Sequence, residues 1–314
     1  MTVPPSLVQR FGGDLHRVWP GGGEARLGIA VSGGPDSLAL LLLAADALPG
    51  RIAVATVDHR LRPEGADEAA MVARVCGARD VPHTTLTVDV KAGNLQAEAR
   101  RARYAALARW AADGGLAAIA TAHHADDQAE TLLMRLNRGS GLSGLAGVRA
   151  RTVWDGKLVI RPLLGWRKAE LEAVCAAVGL YPARDPGNAD QRFDRVAMRR
   201  LLAASPLLDV DALARSAAHL ADAEEALAEW LELRWREDVT EVVNALSYRP
   251  QGPRYLRLKL LERAIASFGG NPRGGAVAAL LDRLERGKGG NLAGVQVSIE
   301  GADWLLRREQ PRRS

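Results

Sequence analysis

The sequence is poor in cysteine and has no long apolar run. Only two cysteines occur, Cys76 and Cys175, which excludes a disulfide framework and a metal site built from cysteine pairs. The longest apolar run, Leu38–Ala45, is far shorter than the roughly 20 residues that cross a bilayer. The N-terminus has no basic region followed by an apolar core. We therefore predict no signal peptide, no membrane association and a cytoplasmic location.

Two common nucleotide-binding motifs are missing or misplaced. No G-x-x-x-x-G-K-[ST] segment occurs, which excludes a Walker-type kinase or GTPase. A G-x-G-x-x-G segment spans 139–144, but it follows a predicted helix, whereas the dinucleotide fingerprint opens a helix after a strand. We interpret 139–144 as a flexible loop near the site.

The composition is that of a globular protein with excess positive charge. A length of 314 residues allows two domains. The formal net charge is +5 and the sequence pI is near 9.5. One explanation is a genome that uses arginine in place of lysine. The other is a polyanionic partner such as nucleic acid, which positive charge would attract.

The first half of the sequence alternates strand-like and helix-like segments. Asn94 is a candidate N-cap for one of the helices. Strands are predicted at 27–31, 51–57, 83–88 and 117–121, and helices at 36–47, 64–79, 94–112 and 126–137. Such alternation predicts an α/β fold with a parallel sheet covered on both faces. Ligands of such sheets bind outside the carboxyl ends of the strands.

After about residue 205 the pattern becomes mainly helical. Helices are predicted at 209–237, 255–268 and 276–286, and a short β-hairpin at 296–306. We predict a catalytic first domain over 1–210 and a smaller, mainly helical second domain over 211–314.

The segment Ser32-Gly33-Gly34-Pro35-Asp36-Ser37 directly follows the first predicted strand. Two glycines allow the backbone to approach an anion closely, and proline is tolerated in the first turn of a helix. The helix that follows directs unpaired N–H groups at whatever lies in the loop. These features describe a phosphate cradle. An ordinary Gly-Pro turn with a capping Ser or Asp would have the same sequence.

A second polar cluster follows the fourth predicted strand, at 121–130. His123, Asp127 and Glu130 lie at i, i+4 and i+7, so they share a face if the helix begins early. Carboxylates of this kind, with Asp36, suit Mg²⁺ bound together with ATP phosphates. A zinc site is disfavoured because neither cysteine nor H-E-x-x-H accompanies the cluster. The alternative is a set of polar residues that cap a helix.

Several motifs in one order resemble a known family. The matching segments are Ser32–Ser37, Val57–Glu64, Ala99–Tyr104, His123–Thr131, Arg138–Gly141, Arg161–Leu164, Asp185–Asn188, Phe193 and Arg195–Leu202. Together, over about 25–205, they resemble the tRNA(Ile)-lysidine synthetases of the PP-loop ATP pyrophosphatase superfamily. The sequence departs from the pattern at Arg60, where Gly is commoner, and at Val196, where the family has Asn. The C-terminal region, 211–314, resembles only the first accessory domain of longer members, and the resemblance implies that it contacts tRNA.

The resemblance implies a reaction with ATP and Mg²⁺. Such enzymes adenylate the C2 carbonyl of the wobble cytidine in tRNA(Ile) with a CAU anticodon, and free L-lysine then displaces AMP. The lysine ε-amine, with a pKa near 10.4, costs about 4.6 kcal/mol to deprotonate at pH 7. A base or a desolvated pocket must offset part of this cost. A homodimer is compatible with the resemblance, and the sequence does not reveal the oligomeric state.

The resemblance also implies site residues. Catalysis would involve Asp36, His123 and Asp127, with Mg²⁺ held by Asp36 and Asp127. Lysine would be bound by Glu130. The expected ATP-binding residues are Ser32, Gly33, Gly34, Pro35, Asp36, Ser37 and Asp58, and the expected tRNA or phosphate contacts are Arg195, Arg199 and Arg200.

Two alternatives remain open at the level of sequence. Another PP-loop enzyme, such as a tRNA thiolase or an amidotransferase-type synthetase, would need catalytic or cluster-binding cysteines. Cys76 and Cys175 instead resemble packing residues inside helices, away from the motifs. A non-enzymatic adenine-nucleotide binding module would leave His123 and Asp127 without a role.

Overall fold

The computed structural model describes residues 2–60, 64–89, 95–181, 194–272 and 274–309. Contacts within the chain define two compact units, Met1–Ala221 and Asp222–Ser314. The division falls inside helix α9, Val210–Asp238. The domain boundary predicted after residue 210 lies at the start of the same helix, which contains neither glycine nor proline to mark a division.

The first unit is built on a six-stranded sheet in the order β3-β2-β1-β4-β6-β5. Its strands are β1 (Leu27–Ala30), β2 (Ile52–Asp58), β3 (His83–Thr87), β4 (Ala118–Ala120), β5 (Arg151–Trp154) and β6 (Lys157–Ile160). Its helices are α1 (Pro5–Val18), α2 (Pro35–Ala47), α3 (Glu64–Gly77), α4 (Leu95–Asp113), α5 (Ala125–Asn137), α6 (Leu142–Leu145), α7 (Lys168–Ala177), α8 (Asp194–Ala204) and the start of α9. Among the described strands of this sheet, β5 pairs antiparallel with β6 and the other pairs are parallel. The predicted α/β parallel sheet is confirmed.

The position of β1 determines where a ligand site forms. From β1 the chain moves outward to β2 and β3 and then returns to β4 on the other side of β1. The loops after β1 and β4 therefore leave neighbouring strands at the same edge of the sheet. This is the topological switch point at which open α/β sheets bind ligands.

Apolar helices cover both faces of the sheet. One core contains Leu27 and Ile29 of β1 together with α2, whose residues Leu38–Ala44 are all buried. A helix that is apolar on all sides has no amphipathic stripe, which fits its central position. The other core contains Ala53 and Ala55 of β2 with Leu107 of α4. Because successive strand residues alternate between faces, α2 and α4 lie on opposite faces of the sheet.

The helices and strands predicted in the first half are confirmed, with ends that agree within two residues. The hairpin of β5 and β6, as well as α1, α6 and α7, were not predicted. Asn94, Phe193 and the segment Asp185–Asn188 lie outside the described residues. Among the described residues, every helix is too short or too polar to cross a bilayer.

The second unit contains the end of α9, two further helices and a five-stranded antiparallel sheet. The elements are α10 (Arg254–Ser267), α11 (Gly274–Glu285), β7 (Val239–Val242), β8 (Ala245–Tyr248), β9 (Gly290–Leu292), β10 (Val295–Glu300) and β11 (Asp303–Arg308). The predicted hairpin is β10 with β11. The sheet is larger than predicted because β7, β8 and β9 have only three or four residues each, too few for a recognisable alternation.

Gly28 in β1 provides a test of the packing between the sheet and α4. A Cβ atom at this position would lie 2.7 Å from the Trp110 ring and 3.0 Å from the Leu116 side chain. We expect Gly28→Ala to lower the free energy of unfolding by about 1–3 kcal/mol, as overpacked cores do. Denaturant titration measures this loss. Gly12→Ala inside α1 is the control: its Cβ would meet nothing within 4 Å, so stability should hold or rise slightly. Equal losses in both variants would contradict the packing explanation.

Candidate active site

A cavity of about 230 Å³ opens at the carboxyl edge of the sheet, beside the switch point. The loops after β1 and β4, the end of β2 and helix α4 surround it. The lining residues are Ala30, Val31, Ser32, Gly34, Asp36, Ser37, Ala55, Val57, Arg100, Arg103, Tyr104, Leu107, Thr121, Ala122, His123, Asp127 and Arg195. The two motifs that the sequence analysis identified therefore contribute to one cavity.

The loop after β1 has the geometry of an anion cradle. Gly33 has φ +91°, a conformation that L side chains rarely adopt, and a Cβ there would lie 3.2 Å from Glu68. The Ser37 hydroxyl donates to the Gly34 carbonyl at 3.0 Å and lies 3.1 Å from the Ser32 N–H, which donates to it. Ser37 thus holds the loop closed. The first N–H groups of α2 have no partner within the helix, so an anion in the cavity would satisfy them.

His124 joins the two loops, and the sequence analysis assigned it no role. Its Nε2 atom lies 3.5 Å from Asp36 Oδ2 and 3.6 Å from Asp127 Oδ2. Its Nδ1 atom lies 3.6 Å from Asp126 Oδ2. The His124 side chain is almost completely buried. Burial alone would lower the pKa of His124, but these carboxylates outweigh it and raise the pKa to about 10. The ring is therefore a cation between acids from two different loops.

Asp126 anchors this arrangement to neighbouring helices. Its Oδ2 atom accepts a hydrogen bond of 2.8 Å from the Lys168 N–H at the start of α7. The Arg167 guanidinium lies 3.4 Å from Asp126 and 3.4 Å from Asp211 in α9. Burial would raise the pKa of Asp126, but the His124 ring, the Lys168 N–H and Arg167 hold it well below its usual range. Asp126 is thus ionised, and it connects His124 to the start of α7.

His123 does not share a helical face with Asp127 and Glu130, as the spacing had suggested. Helix α5 begins at Ala125, so His123 lies ahead of it in an extended segment. It still lines the cavity with Asp127, and its Nδ1 atom lies 3.1 Å from the Thr121 hydroxyl. Burial, helped by nearby arginines and opposed by Asp127, lowers the pKa of His123 to about 4. The ring is therefore neutral near pH 7, and it is a hydrogen-bonding group and only a weak base.

Glu130 lies behind the cavity and is 1% exposed. Its Oε1 atom accepts a hydrogen bond of 2.8 Å from Arg199 Nε, and its Oε2 atom lies 3.2 Å from Arg195 Nε. Both arginines are in α8, so this buried carboxylate attaches α8 to α5. Arg195 also reaches Asp127 at 3.6 Å and lines the cavity, whereas Arg200 is exposed.

Asp58 is at the end of β2 but is not one of the residues that line the cavity, although Val57 is. Its Oδ1 atom accepts a hydrogen bond of 2.8 Å from the Arg60 N–H. Arg60 has φ +51°, a conformation that favours glycine. This backbone explains why glycine is the commoner residue at that position in the family that the sequence resembles.

Gln128 supports the loop between α6 and β5. The segment 139–144, predicted to be a flexible loop, instead contains the first three residues of α6. The Gln128 side-chain amide donates to the Val148 carbonyl at 2.9 Å and accepts from the Val148 N–H at 2.7 Å. A Cβ on Gly147, which has φ +63°, would lie 2.4 Å from the Gln128 carbonyl oxygen. The glutamine therefore fixes the end of the loop against α5 and is not directed at a ligand.

Both cysteines are buried, and burial raises the pKa of Cys76 to about 11 and that of Cys175 to about 12. Both thiols are therefore protonated near pH 7, unlike a nucleophilic or metal-binding cysteine. The expectation that neither cysteine lies near a motif is wrong for Cys175, whose thiol is 3.4 Å from the Pro35 carbonyl. Helix α7 packs on α2, which brings together residues that are distant in sequence.

The acidic residues of the cavity fit a magnesium ion that is shared with a nucleotide. Asp36 and Asp127 approach the same nitrogen of His124, and Asp36 Oδ1 is buried without a hydrogen-bond partner among the described residues. No group of three or more His, Cys, Asp or Glu side chains in the described part of the chain forms a metal cage. Mg²⁺ is typically held by one or two carboxylates together with substrate phosphates and water, which this donor set matches.

Comparisons with known proteins agree with this geometry. Residues 9–205 match the family model described as PP-loop domain. The chain is 46% identical to the tRNA(Ile)-lysidine synthase of Novosphingobium aromaticivorans, over 98% of this chain and 95% of that protein. It is 42% identical to the tRNA(Ile)-lysidine synthase of Ruegeria pomeroyi, over 90% of this chain and 71% of that protein.

Among solved structures, the chain resembles the U34-tRNA thiolase NcsA from Methanococcus maripaludis, with a TM-score of 0.55. The identity is 15%, over 71% of this chain and 79% of that one, so this likeness concerns the fold alone. The matched PP-loop domain and the similarity over nearly the full length agree in one assignment. The chain belongs to the tRNA(Ile)-lysidine synthase family of PP-loop proteins.

Proposed function

We propose that this protein is an ATP-dependent ligase that joins L-lysine to the wobble cytidine of tRNA(Ile) with a CAU anticodon. AMP and pyrophosphate are the other products. The observation that carries the proposal is the meeting of the Ser32–Ser37 segment with the 121–127 segment in one cavity. It occurs in a chain that is 46% identical, almost end to end, to a tRNA(Ile)-lysidine synthase.

The first step activates the cytosine. Its C2 oxygen attacks the α-phosphorus of ATP, and the bond from that phosphorus to the β-phosphate oxygen breaks, which releases pyrophosphate. The loop from Ser32 to Ser37 binds the phosphates through backbone N–H groups at the start of α2. Asp36 and Asp127 would hold Mg²⁺, which supplies charge neutralisation at the phosphates. His124 keeps these two carboxylates close together, and Asp58 is proposed to support nucleotide binding from the end of β2.

The second step joins the amine. The lysine ε-nitrogen attacks C2, the bond between C2 and its oxygen breaks, and AMP leaves with that oxygen. The nitrogen must lose protons, and Asp127 and His123 are the cavity groups in place to accept hydrogen bonds from it. His123 accepts because its ring is neutral near pH 7. The low pKa of His123 makes its ring a poor final proton acceptor, so the proton from the lysine nitrogen is expected to pass to water.

Glu130 is proposed to bind the incoming lysine. Its carboxylate is neutralised by Arg195 and Arg199. To bind Glu130, a lysine ammonium has to replace one of these guanidinium groups. An anionic substrate nearby would favour this replacement, because the displaced arginine could then bind the substrate. The arginines of α8 are correspondingly proposed to contact phosphate, either of ATP or of tRNA.

Charge does not identify the second unit as the main tRNA-binding surface. Residues 222–314 contain 15 Lys and Arg against 14 Asp and Glu, so most of the net charge of +5 resides in the first unit. Long-range attraction of tRNA is thus expected near the catalytic cavity. A contact of the second unit with tRNA, as predicted from the sequence, would depend on shape and local contacts.

ATP–pyrophosphate exchange tests the proposed function. We expect exchange that requires the tRNA(Ile) with a CAU anticodon, and lysine-dependent release of AMP from the same tRNA. Asp36→Ala should abolish exchange, because it removes a proposed oxygen ligand of Mg²⁺ and a partner of His124. The variant should remain folded. Asp113→Ala, an exposed position at the end of α4, is the control and should retain exchange. Exchange that proceeds with no tRNA, or in Asp36→Ala, would refute this mechanism.

Glu130→Gln tests the lysine pocket. Loss of a charge-assisted hydrogen bond costs about 1.5–3 kcal/mol, which corresponds to about 10–150-fold in affinity. We expect the KM for lysine to rise by such a factor while the KM for ATP changes much less. Steady-state kinetics with each substrate varied in turn measures both constants. Equal effects on the two substrates would show that Glu130 acts by holding α8 and not by binding lysine.

Arg199 and Arg200 are neighbours in α8 with different surroundings. Arg199 is bonded to buried Glu130, and Arg200 is exposed. We expect Arg199→Ala to lower kcat/KM by at least about 10-fold, since it leaves a buried carboxylate with one partner fewer. Arg200→Ala should only weaken tRNA binding and reduce its log–log salt slope by about one unit. A silent Arg199→Ala would mean that the contact between Arg199 and Glu130 is not needed for the reaction.

A further inference from the structure

Two arginines of α4 lie in the cavity without an assigned role. Arg100 and Arg103, here called the α4 arginine pair, both line it. They are three residues apart, so they lie on the same side of the helix, about one turn from each other. Both residues are exposed to solvent, although partial burial of the Arg103 guanidinium lowers the pKa of that group. They therefore lie where the cavity meets solvent, within reach of a molecule that enters.

The α4 arginine pair has no acidic partner among the described residues. Arg100 lies over the ring of Tyr104, 5.0 Å from its centre, and neither guanidinium forms an ion pair in the described part of the chain. Arg101, between them, differs in both respects, because it pairs with Glu98 at 2.9 Å and does not line the cavity. Most surface arginines gain little from such pairs. Two unpaired cations that face one cavity, however, create a local positive potential.

A third arginine adds to this positive potential. Arg161, at the end of β6, is 4% exposed. Its guanidinium donates to the Arg149 carbonyl at 2.7 Å and to the Thr152 hydroxyl at 3.1 Å. These partners are neutral, so they leave its charge uncompensated, and its Nε atom is buried without a hydrogen-bond partner among the described residues. In a medium of low dielectric constant such a charge acts over a longer distance than it would in water.

The α4 arginine pair lines a different wall of the same cavity from the proposed triphosphate site. Helix α4 covers the face of the sheet opposite to α2, whose N-terminus carries the phosphate-binding loop. Apolar lining from Ala55 and Leu107 belongs to the α4 face. The phosphates of ATP already have partners in the loop and at the start of α2. The α4 arginine pair is consequently available for a second anion.

The charges around the pair favour a phosphodiester over an amino acid. A free amino acid has an ammonium group beside its carboxylate, so a carboxylate site needs a free acid close by. The acids that line the described cavity are Asp36 and Asp127, and both are in contact with His124. A phosphodiester needs only cationic donors. Guanidinium forks bind phosphate oxygens in a bidentate manner.

We propose that the α4 arginine pair binds a backbone phosphate of the substrate RNA next to the nucleotide whose base enters the cavity. This inference rests on the proposed function, in which the reacting cytosine must leave its stack to reach ATP. The phosphates on either side of that nucleotide remain attached to it and therefore lie at the mouth of the cavity. Contacts to them orient the base without reading its sequence.

Salt-dependent binding of a tRNA(Ile) transcript with a CAU anticodon tests the proposal. We compare the wild type with Arg100→Ala, Arg103→Ala and the double variant, in the presence of a non-hydrolysable ATP analogue. Each single change should reduce the log–log salt slope by about one unit, and the double change by about two. The double variant should also raise the Kd for tRNA by about 10-fold or more. Arg101→Ala is the matched control and should bind like the wild type.

Conservative variants and substrate kinetics distinguish the other outcomes. Arg103→Lys, which keeps the charge, should restore most of the salt slope, and thermal unfolding confirms that each variant is folded. An unchanged Kd and slope for tRNA together with a raised KM for lysine would make the pair a carboxylate site and overturn the proposal. So would a raised Kd for the ATP analogue without tRNA. If the wild type forms no lysidine, the proposed function fails, whatever the variants show.

Discussion

The contact of one histidine ring with three carboxylates organises the site. Asp36 comes from the first turn of α2, after β1, and Asp127 comes from the first turn of α5, after β4, so nothing in the local chain holds them together. His124, buried and positively charged, lies within 3.6 Å of both. Two half-buried carboxylates without a cation would repel each other and lose part of their hydration. The protein thus carries its own cation at the place where a magnesium ion shared with ATP phosphates would act, and Asp126 fixes that cation against α7 and α9.

The other charged side chains around the cavity differ in whether they have a partner of opposite charge. Buried Glu130 is neutralised by two arginines from α8, whereas the α4 arginine pair and Arg161 have no acidic partner in the described chain. Acids are therefore compensated from within, and part of the positive charge is left for ligands. A cavity of this kind attracts polyanions, which suits a reaction between ATP and RNA. It also explains why the net positive charge lies mainly in the first unit.

Much of the first unit followed from local sequence patterns, whereas the site did not. The segment Ser32–Ser37 predicted its own geometry, because φ +91° at Gly33 and a helix that begins at Pro35 are local properties. The role of His124 was not predicted. Its partner Asp36 is 88 residues away in the sequence, and only the fold brings Asp36 to the ring that also contacts Asp126 and Asp127. The spacing of His123, Asp127 and Glu130 placed them on one helical face only if the helix began early, and α5 begins at Ala125, two residues after His123. Strands β7, β8 and β9 were not predicted because each has only three or four residues, too few to show the alternation of a strand.

The sequence by itself determined the order and type of β1 to β4 and of α2 to α5, the position of the Ser32–Ser37 loop and the family. Alternating apolar segments, glycine positions and ordered motifs are local signals, and each can be recognised without its neighbours. Only the tertiary structure decided which side chains are neutralised and which are left free for ligands. It brings Glu130 to Arg199 and Cys175 to Pro35, and within the described part of the chain it leaves Arg100 and Arg103 without an acidic partner in the cavity. The reason is that the charge state of a side chain depends on burial and on partners supplied by distant segments, which the parallel sheet brings together at its carboxyl edge.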